Sequence, residues 1–174
     1  MSQQAKPAVL FDAQEVRERV NELGRRITAD YTDREIAVVG VLKGTLVFMA
    51  DLIRAIERPL TCHFLKVDAT GSGGRIDIAF SSEADFIGRD VLLLEDVVDT
   101  GITLSFIAGH IQEDWKPRSL KIVALIDRED HRKVDCPVDY VCFKLVKDGF
   151  VVGYGLDFQE HYRELPYLGI INRT

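Results

Sequence analysis

Three apolar runs constrain this chain most: Ile36–Leu42, Val91–Leu94 and Leu120–Ile126. Their density of Val, Leu and Ile reads as buried parallel strands. Two of them end in a turn that opens a helical pattern. Lys43-Gly44-Thr45 breaks the first, and Leu46–Ile56 then carries an apolar face until Pro59 stops it. Asp99-Thr100-Gly101 follows the second, and a helix from Thr103 to about Trp115 ends before Pro117. Strands alternating with helices predict an α/β fold whose mostly parallel sheet is flanked by helices on both faces. In such sheets ligands bind beyond the carboxyl ends of the strands.

The remaining segments fill in this plan. Asp12-Ala13-Gln14-Glu15 reads as a capping box, and Val16, Val20, Leu23 and Ile27 recur at helical spacing, predicting a helix over Asp12–Ala29. Leu60–Val67 and Arg75–Phe80 read as strands on either side of Gly71-Ser72-Gly73-Gly74, a mobile loop or hairpin tip. The central strand is predicted over Val91–Glu95, with shorter strands at Val138–Phe143 and Phe150–Tyr154. Met1–Leu10 is expected to be a loose arm. At 174 residues the chain suits one domain, residues 1–174, with a small hood built from the C-terminal segments.

Charge and cysteine usage exclude several classes. The formal net charge is −6 and no Lys/Arg block stands out, which argues against a nucleic-acid surface. An anionic ligand must therefore be captured locally, by amides, a few cations or a metal. Cys62, Cys136 and Cys142 are odd in number and form no C-x-x-C, as in a reducing compartment. No run approaches a membrane span and no signal pattern begins the chain, so a cytoplasmic protein is expected.

The chemistry gathers around V-L-L-L-E-D-V-V-D-T-G-I-T-L at Val91–Leu104. Amide N–H groups at a helix N-terminus attract phosphate, and Gly101 lets the backbone approach closely. The adjacent carboxylates Glu95 and Asp96 suit ribose hydroxyls or Mg²⁺. A strand delivering acids to such a turn is a place to hold a sugar phosphate. Lys43-Gly44, Glu95–Thr103, Asp127-Arg128 and the 150s segment all sit near strand exits, where one crevice would collect them. The histidines, His63, His110, His131 and His161, lack ligand spacing and suit surface or packing roles. Glu129–Lys133 reads as a solvated, charge-dense loop.

Three motifs in order carry a resemblance that covers about Ile36–Ile171. E-D-V-V-D-T-G-I-T at Glu95–Thr103 resembles the phosphoribosyl-diphosphate loop of the type I phosphoribosyltransferases. V-L-K-G-T-L-V-F-M-A-D-L at Val41–Leu52 resembles their diphosphate loop and its helix. F-V-V-G-Y-G-L-D at Phe150–Asp157, with Arg163 beyond, is similar to the purine-binding end of the hypoxanthine-guanine branch.

The resemblance implies transfer of a phosphoribosyl group from phosphoribosyl diphosphate to a 6-oxopurine, with Mg²⁺. It implies that Asp99, Thr100, Gly101, Ile102 and Thr103 wrap the 5-phosphate, with Asp99 also the candidate base at the purine. Glu95 and Asp96 would take ribose or metal, Lys43, Gly44 and Arg163 the diphosphate, and Asp157 a second Mg²⁺. Arg128, Phe150, Val151 and Asp157 would form the purine end. A cis peptide at Leu42-Lys43 and a homodimer or homotetramer are further implications.

Two departures stand out. Arg128 occupies a position that is usually Lys, so its fork would alter the ranking among hypoxanthine, guanine and xanthine. Ala69-Thr70 replaces the usual Ser-Tyr of the mobile loop, which predicts a weaker lid. Other readings are a nucleotide-sensing regulator that binds RNA or DNA, a transferase for another base, and a binding protein without turnover. The first needs a basic face, and the last is opposed by the retention of Glu95, Asp96, Asp99 and Asp157.

Overall fold

The computed structural model describes residues 6–70, 75–80, 85–146 and 149–171. Six strands form the main sheet: β2 (Ile36–Val41), β3 (Leu60–Thr70), β4 (Arg75–Phe80), β5 (Asp90–Val98), β6 (Ser119–Asp127) and β7 (Tyr140–Lys144). Their order is β4-β3-β2-β5-β6-β7, and only the β3–β4 pair is antiparallel. The expected hairpin is therefore present. Its tip, Gly71–Gly74, lies outside the described residues, as do the side chains of Ala69 and Thr70 and the lid expectation they carry.

Period-two alternation divides the core. Ile36 and Val38 of β2 and Leu92 and Leu94 of β5 face α1 (Ala13–Asp30) and α2 (Leu46–Ala55). Ala37, Val39, Val91 and Leu93 face α3 (Ile102–Trp115) on the other side. The Asp12–Glu15 capping box forms as expected: Glu15 N donates to Asp12 Oδ1 at 2.9 Å, and Asp12 N donates to Glu15 Oε2 at 3.0 Å.

Several boundaries differ from expectation for identifiable reasons. β5 does not stop at Glu95: it stays in register with β6 through Val98↔Asp127, so Glu95 and Asp96 sit inside a strand. The strand from Phe150, β8, ends at Val152 because Gly153 (φ 93°) and Tyr154 (φ 52°) turn the chain. The arm is not loose throughout. Ala8–Phe11 forms β1 and pairs antiparallel with β9 (Leu168–Ile171), which also pairs with β8. The hood is thus a three-stranded sheet, β1-β9-β8, with an N-terminal strand as well as C-terminal ones. Hydrogen bonding between distant ends, invisible to local periodicity, makes the difference.

At the opposite end of the sheet from the site, Asp90 is fully buried and holds β5, β6 and the β2 entry together. It accepts from Arg118 Nε at 3.1 Å and Ser119 Oγ at 2.6 Å, with Arg34 Nη1 3.6 Å away. The Arg118 hydrogen bond, helped by Ser119 and the two guanidinium charges, outweighs burial and holds the Asp90 carboxyl below its usual range. A depressed carboxyl stabilises the fold above the unfolded value, near 3.9, and that contribution is lost as pH falls through the folded value. Asp90→Asn is expected to lower unfolding free energy by about 2 kcal/mol at pH 7. Urea denaturation should show the gap from wild type narrowing as pH falls below the usual carboxylate range; a gap independent of pH would contradict this account.

Candidate active site

Strand order reverses at β5. The chain passes from β2 outward to β3 on one side and from β5 outward to β6 on the other, leaving a crevice at the carboxyl ends. β5 brings Glu95 and Asp96 to its floor, and the Asp99–Gly101 turn forms one wall. Gly101 adopts φ 80° at the head of α3, and a Cβ there would stand 2.8 Å from Cys136 Cβ. Ile102 and Thr103 open the first turn and are exposed, and Ile102 N donates to Thr100 Oγ1 at 3.5 Å; the N–H groups of such a first turn lack intrahelical partners.

The opposite wall is the turn after β2. The Leu42-Lys43 peptide is cis, as expected. Gly44 is buried against the floor: a Cβ on it would fall 1.6 Å from Asp96 Oδ2. Gly155 of the hood backs onto Gly44 from the other side, where a Cβ would meet the Gly44 carbonyl oxygen at 2.4 Å. Floor, wall and hood meet here without room for a methyl group.

Charged side chains tie the hood across this contact. Arg163 donates to the Gly155 carbonyl at 2.8 Å and pairs with Asp157 Oδ1 at 2.7 Å. Lys43 Nζ lies 3.1 Å from Glu160 Oε1, and Glu160 N donates to Asp157 Oδ2 at 2.8 Å. Both oxygens of Asp157 are therefore engaged.

Between the walls lies a cleft of about 750 Å³. Asp96, Asp99, Arg128, Phe150, Val151 and Asp157 line it, together with His131, Gly149 and Leu156. Phe150 is 39% exposed, with its ring edge-on to Phe158 at a centroid separation of 5.4 Å. Arg128 Nη1 donates to the Gly149 carbonyl at 3.4 Å. Burial, then the Asp96 charge, pushes the Glu95 carboxyl well above its usual range, and Glu95 Oε2 has no hydrogen-bond partner among the described residues. Burial also raises Asp96, against a hydrogen bond from Val97 N at 2.7 Å.

Among the described residues no three His, Cys, Asp or Glu side chains are gathered to hold a metal. The donor set nevertheless fits Mg²⁺, which commonly takes one or two carboxylates and completes its shell with phosphate oxygens and water. Glu95, with a buried oxygen that lacks a partner, and Asp96 beside it are hard oxygen donors of this kind. Asp157 fits only after giving up Arg163 or the Glu160 amide.

In the charge-dense segment after Arg128, Glu129, Asp130 and Lys133 are exposed as expected, but His131 and Arg132 are half-buried and engaged. Arg128 N donates to the Val98 carbonyl at 2.9 Å and Lys133 N to the Thr100 carbonyl at 3.0 Å. Arg132 Nη1 donates to the Val98 and Asp99 carbonyls at 2.8 and 2.6 Å, and its other arm pairs with buried Asp127. His131 Nδ1 lies 2.6 Å from Asp99 Oδ1. Arg132 and His131 were thus missed, because composition cannot distinguish an Arg that clamps a turn from one that faces water.

Residues 9–159 match the family model described as the phosphoribosyl transferase domain. The chain belongs to the phosphoribosyltransferase family. It is 42% identical over 167 residues to the hypoxanthine-guanine phosphoribosyltransferase of Bacillus subtilis, covering 94% of this chain and 92% of that one. Identity to the enzyme of the same name from Dictyostelium discoideum is 43%, covering 92% and 93%. A crystal structure of a hypoxanthine-guanine phosphoribosyltransferase from Bacillus anthracis superposes with a TM-score of 0.89 at 37% identity, covering 97% of this chain and 99% of that one. The type I phosphoribosyltransferase fold expected from the three motifs is the fold observed. No helix among the described residues is long and apolar enough to cross a membrane.

Proposed function

We propose that this phosphoribosyltransferase transfers the 5-phosphoribosyl group from phosphoribosyl diphosphate to a 6-oxopurine, a purine-salvage reaction that yields the nucleoside 5′-monophosphate and diphosphate. The observation that carries this reading is a cleft lined together by Asp96 of β5, Asp99 of the turn that follows it, Arg128, Phe150 and Val151. In this reading the N–H groups of Thr100–Thr103 and the Thr hydroxyls hold the 5-phosphate, aided by the helix dipole. Glu95 and Asp96 hold the ribose hydroxyls. Lys43-Gly44 and Arg163 face the diphosphate, so Arg163 exchanges Asp157 for it. Phe150 stacks on the base, worth about 1–3 kcal/mol. The Val151 backbone faces the exocyclic edge.

The sugar C1–oxygen bond to diphosphate breaks as the bond to a purine ring nitrogen forms, with positive charge developing on the ribose. Asp99 accepts the hydrogen bond of the five-membered ring and guides its proton. Glu95, Asp96 and Asp157 would hold Mg²⁺, which would supply positive charge to offset that of the departing diphosphate. We further place the enzyme, as one domain, in the cytoplasm as a homodimer or homotetramer. Its free Cys62, Cys136 and Cys142 are consistent with a reducing compartment.

The test is a spectrophotometric assay of hypoxanthine, guanine, xanthine and adenine with phosphoribosyl diphosphate and Mg²⁺. Turnover of the three 6-oxopurines over adenine is expected, and preference for adenine would refute the reading. Arg128→Lys replaces a two-pronged donor with a point charge. It is expected to change the ratio of kcat/KM between guanine and hypoxanthine by at least about 10-fold, the worth of one good hydrogen bond. An unchanged ratio would mean that Arg128 does not read the base.

A further inference from the structure

The geometry points to His131 as a positioning residue for Asp99: it holds one carboxylate oxygen so that the other is aimed at the base. The inference rests on the proposed transfer to a 6-oxopurine. Asp99 stands on a turn with its side chain 49% exposed, and a carboxylate so placed has rotameric freedom that works against a fixed hydrogen bond to substrate. His131 removes that freedom. Its Nδ1 lies 2.6 Å from Asp99 Oδ1, and since a carboxylate accepts, Nδ1–H is the donor. Nε2 faces Asp130 at 3.8 Å, so both ring nitrogens point at acceptors.

An exposed pair across 32 residues of sequence is ordinarily worth little. This one differs because both backbones are registered in advance. His131 ends the short 3-10 turn Glu129–His131, whose flanks are fastened to the Asp99 turn on both sides. Arg128 N reaches the Val98 carbonyl, Lys133 N reaches the Thr100 carbonyl, and Arg132 grips the carbonyls of Val98 and Asp99. The imidazole is therefore delivered to Asp99 without further loop ordering. It also lines the same cleft as Asp99, Arg128 and Phe150, so its effect is exerted where the base would lie.

Asp99 and Asp130 are among the charged groups that face the imidazole, with the Arg132 guanidinium behind the Asp99 carbonyl. In the doubly protonated form Nδ1–H donates to Asp99, while Nε2 stands 3.8 Å from Asp130, beyond hydrogen-bond reach. In the neutral form the acidic partner at Nδ1 favours keeping the proton there. The hydrogen bond to Asp99 thus survives either state, which suits a holding role.

Three substitutions separate holding from space-filling. His131→Ala is expected to lower kcat with hypoxanthine by about 10- to 100-fold while KM for phosphoribosyl diphosphate stays within about twofold. His131→Asn places an amide N–H near the position of Nδ1–H and should recover most of kcat. His131→Phe fills the space without a donor and should remain as low as Ala. A second readout needs no turnover. In ¹⁵N-histidine-labelled protein, the His131 Nδ1–H should give a slowly exchanging imidazole resonance that disappears in Asp99→Ala. Kcat of His131→Ala within about twofold of wild type, rescue by Phe as good as by Asn, or absence of that resonance would each overturn the inference. If the resonance is present but wild type turns over no 6-oxopurine, the proposed reaction fails and the catalytic role of the pair falls with it.

Discussion

Arg132→Ala is expected to lower the unfolding free energy by about 3–5 kcal/mol, the range for breaking one side of a buried ion pair. The side chains of Arg132 and Asp127 are only 14% and 6% exposed, so water cannot replace the lost guanidinium. Asp127 would be left as a buried charge, and the carbonyls of Val98 and Asp99 would lose the donor that reaches both. Urea denaturation reads the loss. Arg132→Ala/Asp127→Asn should recover part of it, since the unpaired charge is then gone. Arg132→Lys keeps a charge but loses the fork, and should fall between the two. Activity is expected to fall with stability, because the same guanidinium fixes the turn that bears Asp99. A stable, fully active Arg132→Ala enzyme would show that the backbone hydrogen bonds at Val98 and Thr100 suffice.

Gly44→Ala should have the opposite character: a large loss of activity with little loss of fold. A methyl group there would fall 1.6 Å from Asp96 Oδ2 and 2.6 Å from its Cγ, so the carboxylate must leave its place. Gly44 cannot retreat, because Gly155 already meets its carbonyl from behind. An Asp side chain can rotate, so the core survives. What is lost is the aim of Asp96 and the approach of the Lys43-Gly44 amides to the ligand. Displacement by about 1 Å costs on the order of 100-fold, and kcat/KM is expected to drop at least that far. The melting temperature should shift by only a few degrees, about 1 kcal/mol for a chain of this size. Retained activity would place Asp96 outside the reaction; a collapsed fold would make the contact structural.

The two variants mark the boundary of what local sequence could reveal. Asp96, Asp99, Phe150, Val151 and Asp157, which the fold gathers on one cleft, lie in short contiguous motifs that can be picked out of the sequence. The apolar runs that deliver them were legible for the same reason, through period and turn residues. Gly44 was legible as a turn glycine that lets backbone amides face a ligand, but not as the spacer between Asp96 and Gly155. His131 and Arg132 look solvated in the sequence because the Asp99 carboxylate that His131 holds and the Val98 and Asp99 carbonyls that Arg132 holds lie more than 30 residues upstream, even though Asp127 is only five residues from Arg132. β1 was read as loose because its partner, β9, lies at the other end of the chain.

By itself the sequence determined the mostly parallel α/β plan, the glycine turn into α3 and the family of the chain, because hydrophobic period, turn stereochemistry and contiguous motifs act over a few residues. Only the tertiary structure decided which side chains hold those segments at working distance: Arg132 on the Asp99 turn, His131 on Asp99 itself, Gly155 against Gly44. Hydrogen bonds and steric exclusion act over about 3 Å in space whatever the separation along the chain, so such partners become visible only once the backbone has brought them together.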